Sequence, residues 1–304
     1  MTPDTHTIEE KMIPVDNGHV LYAQAWGNAR AKESIIFLHG GPGSGCSDGH
    51  KQYFDPARQQ IIFFDQRGSG RSTPAGLLKA NDTDHAVEDI NTIANTFGLE
   101  RFTLVGGSWG SCLALTYAIR YPDRVQRMVL RGLFTGRQSE INYLDQGQFR
   151  PYFPEVWEAF ANGVPAEFKA DPAGYHFTRI LGKNQAEAKQ SAYAYAHLEN
   201  ALVGLDDRRS LPKYEDFDPT GTIVECHFTG NACFLPDGYI MDHAKELTMP
   251  IVLVQGRYDS ICPPITAYEL FQRLPKAQLL WTTAGHSGND RANWDVVKAA
   301  LSSY

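Results

Sequence analysis

Residues 104–111 read Leu-Val-Gly-Gly-Ser-Trp-Gly-Ser, and the fold follows from how that stretch must be built. Leu104-Val105 ends an apolar strand, residues 110–120 form a helix of small and apolar residues, and Ser108 occupies the turn between them. In a Gly-x-Ser-x-Gly turn the chain reverses so tightly that the positions two residues either side of the serine, Gly106 and Gly110, have no room for a Cβ. The hydroxyl is lifted above the sheet, with a helix N-terminus behind it that favours developing negative charge. Ser108 is therefore a candidate nucleophile.

Working outward, the same strand–helix rhythm recurs. Asp16-Asn17-Gly18 predicts a hairpin turn between short strands, the second ending near Trp26. Ile35–Leu38 and Ile61–Phe64 are buried strands, each stopping at a glycine loop. Val87, Ile90, Ile93 and Phe97 repeat at helical spacing before Gly98, and Val125–Leu130 is a further strand. From about residue 133 to 245 the rhythm breaks into an aromatic, Pro-, Gln- and Ala-rich stretch with a helix near 184–203. It resumes with a strand at 250–254, a helix at 264–273, a strand at 278–281 and a last helix from about 292. Alternation of this kind predicts an α/β fold, a mostly parallel sheet with helices on both faces. The expected organisation is a core of 1–132 and 246–304 with 133–245 inserted as a mainly helical cap.

Composition narrows the function. The chain has 304 residues, is 42% hydrophobic and carries a net charge of -7, so it lacks the basic footprint that nucleic acid requires. No apolar run approaches the ~20 residues of a membrane helix. The N-terminal MTPDTHTIEEK has neither a basic nor an apolar signal region, and the five scattered cysteines suit a reducing compartment, so a cytoplasmic setting is expected. Cys226 and Cys233 lack the second pair that a zinc site would need. No metal and no organic cofactor are expected.

A serine hydroxyl is a weak nucleophile at neutral pH and needs a base and an orienting carboxylate. In a fold of this type the chain order is serine, acid, histidine, each at the C-terminal end of a strand. Asp259 follows the strand that ends at Val254, and His286 follows the one that ends near Trp281. His39 and His50 precede the serine, and His227 and His243 fall in the insertion, so none fits both order and position. Oxyanion donors are expected from the backbone N–H of Trp109 and, in His39-Gly40-Gly41-Pro42-Gly43, that of Gly41. That glycine loop, with Asp65 about a strand further on, also sketches a dinucleotide site, but Cys46 stands where the third glycine belongs.

Five motifs, HGGPG (39–43), DQRGSGRS (65–72), GGSWGS (106–111), GRYD (256–259) and GHS (285–287), together resemble the proline iminopeptidase family of α/β-hydrolase fold serine peptidases, over nearly the whole chain. The resemblance implies a serine aminopeptidase that releases an N-terminal proline, or another small apolar residue, from small peptides with a free N-terminus. It implies amine-binding carboxylates at Glu225, in Val224-Glu225-Cys226-His227-Phe228, and at Glu199. Leu130-Arg131-Gly132-Leu133-Phe134-Thr135 resembles the family stretch that puts Phe134 in the ring pocket with Arg131 near it, and Cys262 falls close to the site. Departures lie in the insertion: Leu198 replaces the usual Trp before Glu199, Cys226 and Thr229 interrupt the Glu225 motif, and Leu144 stands where an aromatic often lines the pocket. The alternative reading is an esterase, lactonase or amidase on the same triad.

Overall fold

The computed structural model describes residues 4–205 and 210–302. Residues 1–3, 206–209 and 303–304, which fall within the three expected segments, lie outside the described residues. Eight strands, β1 (Thr7–Pro14), β2 (Val20–Gly27), β3 (Glu33–Leu38), β4 (Gln59–Phe64), β5 (Phe102–Ser108), β6 (Val125–Leu133), β7 (Ile251–Gly256) and β8 (Ala277–Thr282), form one sheet. Its order is β1-β2-β4-β3-β5-β6-β7-β8. Strands β4 to β8 in that order run parallel, and the β1–β2 hairpin adds an antiparallel edge against β4. The hairpin turns through Asn17 and Gly18, both at positive φ.

Helices α1 (Thr83–Thr96) and α2 (Trp109–Arg120) cover one face. Val87, Ile90 and Ile93 of α1 pack with Leu113 of α2 and with Ile36, Leu38, Ile62 and Leu104 of the strands in a single apolar cluster. On the other face a last helix brings Val297 and Leu301 against Phe37, Phe63, Val105, Val129 and Val254. Strand residues alternate between the two clusters, which is why these strands read as unbroken apolar runs.

Between β6 and β7 the chain builds α3 (Gln138–Asp145), α4 (Pro154–Asn162), α5 (Pro172–Ile180), α6 (Gln185–Leu202), α7 (Thr220–Thr229) and α8 (Tyr239–His243). No strand occurs there among the described residues. Leu144, Phe149, Phe160, Tyr195, Leu198 and Phe217 give it an apolar cluster of its own. Val224, Phe228, Ile240 and Met241, by contrast, join the cluster of the sheet, so the last part of the insertion is packed directly onto the core. The chain closes with α9 (Pro264–Phe271) and α10 (Arg291–Ser302). Strand β6 runs to Leu133 and β5 to Ser108, each about three residues beyond the apolar run that marks it in the sequence. Those added residues carry the site.

Candidate active site

Ser108 is the last residue of β5 and precedes α2, with φ 56° and ψ -127°. The turn's two glycines are required by close backbone approach. A Cβ on Gly106 would lie 2.4 Å from the Gly110 carbonyl oxygen, and one on Gly110 would lie 2.2 Å from that of Leu38. Trp109 opens α2, so its N–H has no partner within the helix and is available beside the serine.

His286 and Asp259 reach the same place from the loops after β8 and β7. The imidazole Nδ1 lies 2.8 Å from Asp259 Oδ2, and both side chains are buried. The other carboxylate oxygen, Oδ1, accepts the N–H groups of Ile261 (3.0 Å) and Cys262 (2.8 Å). Gly132, at φ 55°, passes beneath this pair, where a Cβ would meet His286 Cε1 at 2.9 Å. The histidine loop is tied down from three sides. Tyr53 donates its hydroxyl to the Gly288 carbonyl (2.8 Å), the Ser287 N–H bonds the Val203 carbonyl just past α6 (2.6 Å), and Arg131 donates to the carbonyl of His286 itself. Cys262 bonds the Ser108 side chain, and burial pushes its thiol well above the ordinary cysteine range, so it stays protonated.

The loop 39–43 is held by the DQRGSGRS segment. His39 is fully buried, and burial lowers its basicity, keeping the ring neutral. Its Nε2 accepts the Gln66 N–H (3.0 Å), so Nδ1 carries the proton and donates to the Gly40 carbonyl (2.9 Å). Gln66 donates its side-chain amide to the His39 carbonyl (3.0 Å) and accepts the Trp109 indole N–H (2.8 Å). One glutamine therefore joins the two segments that carry the expected oxyanion donors, Gly41 and Trp109. Burial alone would raise the Asp65 carboxyl, but Arg71 side-chain and backbone donors and the Cys46 N–H hold it below the ordinary range. With its lone pairs so engaged, Asp65 cannot serve a ribose, which removes the dinucleotide reading.

A cavity of about 410 Å³ opens over Ser108, walled by Gly40, Gly41, Arg131 and His286 from the core and by Glu199 and Glu225 from α6 and α7. The two glutamates share a hydrogen bond, and burial, the first cause for each, pushes both carboxyls upward; for Glu225 the neighbouring Glu199 adds to the effect. Two carboxyl groups in that state hold a proton between them. Helix α7 is fixed by Phe228, whose ring lies 4.8 Å from that of Trp109, and by His227 Nε2, which donates to the Asn81 carbonyl (2.9 Å).

The remaining expectations fall differently. Phe134 is outside the cavity wall: its ring packs against the cluster of the sheet, and its backbone N–H donates to Ser111 Oγ (3.1 Å). Arg131 does line the cavity, but its guanidinium is engaged with the histidine loop. Leu144 is buried in the insertion's own cluster rather than facing a pocket. The residue that sequence reasoning missed is its neighbour Asp145, since one residue along a helix turns the side chain by about 100°. Asp145 accepts the Tyr195 hydroxyl (3.0 Å), acts electrostatically on both glutamates, and is pushed up to about 7, mainly by burial. Among the described residues, no group of three or more His, Cys, Asp or Glu side chains is arranged to hold a metal ion, and no helix is long and apolar enough to cross a membrane.

A serine on a strand–helix elbow, beside a His–Asp pair at the ends of neighbouring strands of one sheet, defines the class of α/β hydrolases. The family model described as alpha/beta hydrolase fold matches residues 33–290. A protein of Leptolyngbya boryana named probable proline iminopeptidase is 36% identical over 282 residues, covering 91% of this chain and 88% of its own. The proline iminopeptidase of Xanthomonas citri is 35% identical, covering 99% and 98%. Among solved structures, the proline iminopeptidase of Mycobacterium smegmatis superposes with a TM-score of 0.59 at 19% identity, covering 96% of this chain and 97% of that one, a likeness of fold. The chain belongs to the proline iminopeptidase family.

Proposed function

We propose that this chain is a serine aminopeptidase that releases an N-terminal proline, or another small apolar residue, from peptides through an acyl-enzyme. The observation that carries the reading is a hydrogen-bonded carboxyl pair, Glu199 and Glu225, on the wall of the cavity that holds Ser108 and His286. An ammonium group entering a partly buried pocket needs such a partner to offset its desolvation. In the proposed reaction the substrate's α-ammonium binds as the shared proton leaves to water, and this sets the first carbonyl over Ser108. His286 takes the hydroxyl proton at Nε2 while Nδ1–H donates to Asp259, and the oxyanion meets the N–H groups of Gly41 and Trp109. His286 then protonates the departing amine, and water, activated by the same imidazole, releases the acyl group. The arrangement supplies nucleophile, base and oxyanion donors from the chain's own residues. Residues 133–245 act in this reading as a cap that carries the amine site. Five free thiols suit a reducing compartment, and we place the reaction in the cytoplasm.

A panel of prolyl and alanyl anilides with free and acetylated amines, set beside short acyl esters, tests the reading. Free-amine anilides should be hydrolysed and acetylated ones refused. Glu225→Gln should lower kcat/KM on the prolyl anilide by roughly 30-fold or more, because it leaves the bound charge under-compensated, and should leave ester hydrolysis little changed. Rapid turnover of esters, poor turnover of free-amine anilides and a silent Glu225→Gln would instead make the chain an esterase on the same triad.

A further inference from the structure

Strand β7 reads Ile251-Val252-Leu253-Val254-Gln255-Gly256, and its one polar side chain is wholly buried. A buried amide opposes folding unless every donor and acceptor is used. The Gln255 side-chain oxygen Oε1 accepts the Leu133 N–H (2.8 Å), at the end of β6. Its amide nitrogen donates to the Cys262 carbonyl (3.0 Å) and to Asp259 Oδ2 (3.1 Å). The opposite orientation would set the amide oxygen against a carboxylate and its NH₂ against an N–H, so the partners dictate the orientation seen. Asp259 Oδ2 is also the oxygen that faces His286 Nδ1.

We infer that Gln255 is a positioning residue: it fixes the Asp259 oxygen that orients His286 and ties that oxygen to the strand end leading to Gly132. The inference rests on the triad reading of Ser108, Asp259 and His286. Because Ile261 and Cys262 hold Oδ1 independently, removing the Gln255 amide leaves the carboxylate in place but takes one donor from Oδ2. Oδ2 then faces His286 Nδ1 with one donor fewer, and its charge bears more fully on the imidazole. The other groups facing this pair are Arg131 on β6, the Cys262 thiol, Tyr143 on α3, and Glu199 and Glu225 across the cavity. All are unchanged in the variants below.

The experiment is the rate of Ser108 labelling by a fluorophosphonate probe across pH, on the full chain, which needs neither an amine nor a peptide. In Gln255→Met, close in shape but without the amide, labelling at neutral pH should slow roughly tenfold or more, and the acid limb should move to higher pH. Gln255→Glu keeps an acceptor for the Leu133 N–H and places a second carboxyl against Oδ2, so its limb should move further; it carries the test if the Met variant fails to fold. A purely structural role would lower the melting temperature and leave the pH dependence of the folded protein coincident with wild type. Coincident profiles overturn the role of Gln255 alone, whereas a wild type that the probe leaves unlabelled overturns the triad reading and this inference with it.

Discussion

Ser108 holds a backbone conformation, φ 56° and ψ -127°, that a residue with a Cβ adopts at a cost of about 1–3 kcal/mol. The neighbours impose it: the serine must leave β5 and enter α2 without a connecting loop, and Gly106 and Gly110 let the backbones approach. The result is a half-exposed serine on the cavity wall, beside the N–H of the first residue of α2. Ser108→Ala should fold normally and lose about 10⁴-fold or more in turnover, keeping only what binding and the oxyanion donors supply. Burst-phase kinetics and active-site labelling would read this directly, and a variant retaining a tenth of the wild-type rate would remove the serine from the reaction.

At the scale of elements, the segment after β4 braces both the loop after β3 and the elbow. Arg67 forms two hydrogen bonds to buried Asp89 of α1, at 2.6 and 2.8 Å, and a second ion pair to Asp16 in the β1–β2 turn. Asp89 nevertheless sits above the ordinary carboxylate range, because burial outweighs the arginine. Arg67→Leu would strand that carboxyl in the core and should cost about 3–5 kcal/mol. Chemical denaturation should show a lowered midpoint with an unchanged slope. Turnover per folded molecule should fall little, since Gln66, rather than Arg67, touches His39 and Trp109.

For the whole molecule, the buried carboxyl of Asp145 is a source of instability. Asp145 is raised from 3.8 to about 7, so the native state holds its proton more tightly than the unfolded chain does. That contribution is full below the unfolded value and is lost as pH climbs towards about 7. Asp145→Asn keeps an acceptor for the Tyr195 hydroxyl and removes the titration. Its melting temperature should match wild type near pH 4, rise above it progressively between about pH 4 and 7, and stay above it at higher pH. Differential scanning calorimetry of both proteins across that range reads the difference, in which groups remote from Asp145 cancel while Glu199 and Glu225, which its charge pushes upward, add to it with the same sign. Equal melting temperatures at pH 8 would show that the carboxyl is not strained.

Much of this was legible in the chain itself. Apolar runs fixed by strand burial and glycines fixed by backbone approach depend on neighbours close in sequence, so the sheet and the elbow could be read directly, and Ser108, Asp259 and His286 could be proposed from their places after strands. The helices between β6 and β7 could not be arranged from the sequence, because they choose their faces by packing against one another. That is why the sequence marks Leu144 only as a departure from an aromatic position and gives no sign that the neighbouring Asp145 carboxyl is the one held against Tyr195. Gln255 gave no signal at all: a lone glutamine in a strand acquires meaning only when Leu133, Asp259 and Cys262, distant along the chain, converge on its amide. Residue chemistry and periodicity are local properties, whereas the partners of a buried polar group are set by which strands lie side by side, and that only the tertiary structure decides.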